Sequence, residues 1–323
     1  MSEPIVQCDP TVDDADRLLE QADAIHDDEP GQALQMLRHV AAANLPAARL
    51  ERLAFLLNHV LGEKFELWTQ ACAAQRTVIE ASGASPTPTL LRQAAIAAQI
   101  AGDAHHARAW TLELATRSEA PLAKARALVT LGAVAFAATG QDAETAGRLT
   151  LQALQPLAAL HASPGCGLDA AFGGVANNLA SALLERPLAD LEQADLRTAL
   201  ALTAEHAQRF WQRAGQWIDV ERAHYLRAMS ANALGLGAQA AAHARAGLEL
   251  LDEHDAPHAE NVDRAFLELE LAQGLHVAEL EGGDQALDRA HALARAFAEP
   301  GLAEWFARRS ARNAALAAHY GRH

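Results

Sequence analysis

From Leu168 to Asp255 one constraint is repeated four times in a row: apolar residues return at i, i+3 or i+4, and i+7, in segments rich in alanine. The first segment has Phe172, Val175, Leu179 and Leu183. The second has Leu196, Leu200, Thr203, Ala207 and Phe210. The third has Leu226, Met229, Ala233 and Leu236, and the fourth Ala241, Ala244, Leu248 and Leu251. This period puts one apolar stripe on one face of a helix. A single helix cannot bury its own stripe, so the four must pack on one another. Runs of β-branched residues with period two are absent, which predicts an all-α fold without a sheet.

Composition narrows the choice. Half of the 323 residues are hydrophobic but only 5% are aromatic, and alanine supplies much of the apolar share. Alanine favours helix and lets helix backbones approach closely. The formal net charge of -15 repels phosphate backbones, which argues against nucleic acid as a partner. Lys64 and Lys124 are the two lysines, and no polybasic patch marks a membrane surface. The first residues lack a basic stretch followed by an apolar run, and no membrane span is evident. The cysteines Cys8, Cys72 and Cys166 lie far apart, a pattern that fits a reducing, cytoplasmic setting.

Proline and glycine set the punctuation. Residues 1–9 are expected to be loose. A helix capped by Thr11 or Asp13 should run to Ile25, followed by Gln32–Ala43. A third helix, opened by Pro46, should end at Gly62 as a C-cap, and a fourth should span Glu63–Ser82. Two parts are expected, residues 10–165 and 166–323, joined as one continuous array. The segment Gly301–His319 reads as a polar-faced helix capping its end.

Within the array an arrangement recurs: helix, tight turn, helix, then proline. A small residue sits inside the first helix (Ala95, Ala228, Gly274), alanine follows twelve residues later (Ala107, Ala240, Ala286), and a proline closes the unit (Pro121, Pro257, Pro300). This resembles the tetratricopeptide repeat. The family's early tryptophan is missing, and its Leu-Gly pair survives only as Leu131-Gly132. Ala180, Ala228 and Gly274 lie 48 and 46 residues apart, against about 34 in the standard repeat. The resemblance implies a right-handed superhelical solenoid of antiparallel helix pairs with longer units.

The same resemblance suggests a binding face. Ala171, Gly174, Asn178, Ser181 and Glu185 form a second stripe of small and polar residues. The run Asn177-Asn178-Leu179-Ala180 is similar to first helices of peptide-binding tetratricopeptide proteins, the kinesin light chains among them. There, asparagines line the concave groove and pair with peptide backbone through donor and acceptor. Arg222 and Tyr225 would sit on the next first helix, and Arg92 and Gln93 on an earlier one. A full carboxylate clamp is not expected, because the lysine it needs is missing. The glycines can equally serve close helix packing, and the aromatic run Phe210–Trp217 a packed loop.

Other chemistry finds little support. His105-His106 point to different sides of a helix. His254 and His258 are interrupted by Pro257, so no metal site is expected. Gly165-Cys166-Gly167 lacks a partner for an activated thiol. No cofactor is expected. The reading is a non-catalytic module that binds an extended peptide or partner helix in its concave groove. The alternative is a regulatory or sensor subunit that binds a small effector or signalling peptide between its two halves.

Overall fold

The computed structural model describes residues 12–162, 165–255 and 260–320. The expected loose residues 1–9, the cap Thr11, and Pro257 and His258 lie outside the described residues. The described chain is all-helical, 82% helix, and has no strand. No described helix is long and apolar enough to cross a membrane. The chain divides into two compact units, residues 1–136 and 137–323. The boundary expected at residue 165 falls inside the second unit.

The first unit contains α1 (Val12–Ile25), α2 (Pro30–His39), a 3-10 turn (Ala42–Asn44) and α3 (Ala47–Leu56). A π-helical stretch (Leu57–Lys64) follows, then α4 (Trp68–Ala81), α5 (Pro88–Ile100), α6 (Ala104–Arg117) and α7 (Leu122–Ala137). Leu19, Leu50, Leu53, Leu56, Val60 and Leu90 make its N-terminal core. Gly62 does not cap a helix as expected. It lies inside the π stretch, and a Cβ there would stand 2.5 Å from the Trp68 ring. The missing side chain is what lets Trp68 pack on the widened turn.

The second unit contains a 3-10 turn (Ala138–Gly140), α8 (Ala143–Leu154), α9 (Leu157–Ala162), α10 (Asp169–Leu184) and α11 (Ala194–Ala214). It continues with α12 (Trp217–Ala233), α13 (Gly237–His254), α14 (Asn261–Val277), α15 (Gly283–Ala294) and α16 (Pro300–Tyr320). From α10 to α15 consecutive helices pack together, and α10, α12 and α14 also pack side by side as a layer of first helices. Phe172 of α10 stacks on Phe210 of α11 with ring centroids 4.6 Å apart. Each such fully buried ring contributes about 1.5–3 kcal/mol of transfer free energy.

The recurrent small residues mark closest approaches. A Cβ on Gly274 would lie 2.7 Å from the Ala241 nitrogen and 2.8 Å from the Gly237 carbonyl of α13. Ala228, Ala240 and Ala286 are completely buried. The turns share one device. At the ends of α5, α6, α12 and α14 the residue after the cap adopts positive φ, at Gly102, Glu119, Gly235 and Glu279. The next N–H then bonds back to the helix, as Asp103 to Ala98 (2.9 Å) and Leu236 to Ala231 (2.8 Å). This is the Schellman ending, which satisfies the last carbonyls and turns the chain back on itself.

Helix α16 begins with Phe306 against Phe266 of α14 and His291 of α15. It then continues along the first-helix layer. Arg309 meets Glu270 of α14, and Tyr320 donates to the Ala233 carbonyl at the end of α12 (2.7 Å). Arg312 donates to the Leu184 and Arg186 carbonyls at the end of α10. The layer of α10, α12 and α14 is therefore covered over part of its length by the chain's own last helix.

Candidate functional site

The first-helix layer of the second unit carries a polar seam. At one end Arg222 of α12 is exposed and pairs with Asp263 of α14, 3.1 Å away. Glu221 beside it is fully buried, and neither of its carboxyl oxygens accepts a hydrogen bond from the described residues. Burial, reinforced by the neighbouring Asp263 carboxylate, pushes the Glu221 acid up to about 8.

Tyr225 follows one turn later. Its ring packs edge-on to Phe266, and its hydroxyl is buried without a hydrogen-bond partner among the described residues. The tyrosine expected on the binding face is thus half-buried in the core between α12 and α14. At the other end of the seam Glu270 is fully buried. It accepts from Arg309 (2.6 Å), Asn313 (3.1 Å) and Asn232 (2.7 Å). Burial alone would weaken the Arg309 charge, but the Glu270 carboxylate more than offsets it and holds the guanidinium charged.

On α10 the two predicted stripes separate except at Val175, which is half-exposed. Phe172, Leu179 and Leu183 are buried, whereas Gly174 and Ser181 are half-exposed and Asn178 and Glu185 exposed. Asn177 is half-buried. The ring of Trp211 covers Gly173, where a Cβ would come within 2.7 Å, so that glycine serves packing. Asn178 and Arg222 therefore reach solvent on neighbouring helices of one layer.

The first-unit candidates have other surroundings. Gln93 is buried, and both its backbone carbonyl and its side-chain oxygen accept from Asn58 (2.9 and 2.8 Å). Asn58 in turn accepts from Gln75 (2.8 Å), which closes a buried amide network across the π stretch, α4 and α5. Arg92 is half-buried, and desolvation lowers its pKa. The structure does not bring Gln93 to a surface where a peptide could reach it.

Among the histidines read from sequence, His106 caps back onto Asp103 (2.7 Å) and His254 stacks on Trp217. The carboxylate of Asp169 lies within reach of the Cys166 thiol but is claimed by Arg213 at 2.8 Å. Sequence spacing missed two groupings: Glu270 with Arg309 and Asn313, and His26 with His59. Their members lie on helices far apart in the chain, and the one local clue was the basic face of the last helix.

Fold and seam together define a protein of packed helix hairpins whose first-helix layer presents buried and exposed polar groups to a covering helix. No protein-family model, no curated protein and no solved structure matches the chain.

Proposed function

We propose that the chain is a non-catalytic recognition module of the tetratricopeptide type, working in the cytoplasm. Its helix pairs wind into a right-handed superhelix, and the face of α10, α12 and α14 binds a peptide or partner helix. The observation that carries this reading is the way that face holds α16. It accepts a helix through an arginine on Glu270, an asparagine beside it and an aromatic ring against Phe266. A partner bearing arginine and an aromatic residue reaches the same chemistry by displacing α16, since Glu270 and Phe266 are buried beneath it, with Asn178 and Arg222 as exposed polar contacts beyond the covered part.

Selection of a random peptide library on the full-length chain tests the proposal. The expected result is enrichment of sequences with arginine and an aromatic residue. Asn178→Ala should weaken binding of the selected peptides at least fivefold with thermal unfolding unchanged. Failure to enrich any peptide, or binding indifferent to both Asn178→Ala and Arg222→Ala, would overturn it.

A further inference from the structure

In the first unit two histidines 33 residues apart turn their rings toward one carboxylate. His26 and Asp27 follow α1 in the turn to α2, and His59 sits in the π stretch. One ligand atom from each of the three lies within 4.8 Å of the others. The Nε2 atoms of His59 and His26 are 3.2 and 3.4 Å from the two oxygens of Asp27. Neighbouring ligand atoms around a tetrahedral ion with bonds of about 2.0–2.1 Å stand about 3.3 Å apart, close to the two histidine–carboxylate distances.

The far side of each ring is also engaged. His26 Nδ1 lies 2.6 Å from the Asp23 carbonyl, and His59 Nδ1 lies 2.7 Å from Glu63 Oε2. Both partners are acceptors, so each Nδ1 is placed to donate. In the neutral tautomer protonated at Nδ1, each Nε2 presents a lone pair beside the Asp27 carboxylate, an arrangement that a cation would join. Lys64 supplies a partial answer from the rim, 3.2 Å from Asp27, but an ammonium is a single point charge held at the edge.

Metal-binding histidines characteristically fix their second nitrogen on a carbonyl or carboxylate, as both do here. The setting supports the same reading. His59 is held by a ring stack with Phe55 and T-shaped contact with His26. Its placement depends on the π stretch, a helix irregularity frequent at functional sites. The two histidine side chains are 17% and 14% exposed and that of Asp27 66%, so the ligand atoms are ordered yet reachable from solvent.

We propose that His26, Asp27 and His59 bind a late first-row divalent cation, Zn²⁺ by donor type, with water completing the tetrahedron. The ion cross-links the α1–α2 turn to the π stretch, with Lys64 swinging aside from Asp27.

The test adds Co²⁺ alone, then Zn²⁺ alone, to chelator-treated full-length chain. One equivalent of Co²⁺ should give the visible ligand-field bands of a tetrahedral site, and Zn²⁺ should bleach them and raise the unfolding temperature. His59→Gln and the surface variant Asp27→Asn should each weaken binding at least tenfold. The surface variant keeps the test decisive if the histidine variant folds poorly. Absence of tetrahedral bands, or bands of equal intensity in the wild type and Asp27→Asn, would overturn the assignment.

Discussion

Glu221 shows how one residue makes the first-helix layer sensitive to its protonation. It is fully buried beside Asp263, and its acid is raised from an ordinary 4.5 to about 8. The folded state therefore holds a proton that the unfolded state has released above pH 4.5. This contribution is complete below that pH, falls as pH rises, and is gone above about 8. Glutamine imitates the protonated acid, a neutral side chain of the same size. Glu221→Gln should match the wild type near pH 4.5 and exceed it by a few kcal/mol at pH 8, read from denaturant midpoints. Equal pH slopes in the two proteins would rule out this role. At this scale the sequence was partly legible. The alternate stripe around Asn178 followed from helical period alone. Glu221, Gln93 and His59 did not, because burial and partners arise from helices 17 to 42 residues away in the chain, as with Gln75–Asn58 and Glu221–Asp263.

Among the elements, α16 is the one whose position period could not supply. Its buried face reads Phe306, Arg309, Asn313 and Leu316, a stripe as polar as it is apolar. A hydrophobic count assigns such a helix to a solvated end. It runs along the layer instead because Glu270, fully buried on α14, requires charged and amide donors. Removing the arginine leaves that carboxylate buried without its counter-charge. Arg309→Met should destabilise the second unit by about 3–5 kcal/mol, and the double variant with Glu270→Gln should recover most of it. A single-variant loss under about 1 kcal/mol would mean that the pair is solvated and contributes little. The helix hairpins themselves were legible, since Gly102 and Gly235 mark two of the Schellman turns and Gly274 marks a close contact. The same ending with Glu119 and Glu279 carries no such mark, because non-glycine residues there accept the left-handed conformation at a cost of about 1–2 kcal/mol.

For the whole molecule, an acidic, alanine-rich chain forms two helical units, one with a histidine–carboxylate cluster and one with a polar layer under its own last helix. The all-helical class follows from pattern. The division at residue 136 does not, since the alanine-rich periodicity runs through it without a break in composition. If the layer of α10, α12 and α14 is the recognition surface, a bound peptide must protect it. Hydrogen exchange of the full-length chain, with and without a selected peptide, measures this directly. The account predicts slowed exchange confined to residues 174–181 and 221–225, together with altered exchange along α16. Protection located only in the first unit, or none in the first-helix layer, would contradict it.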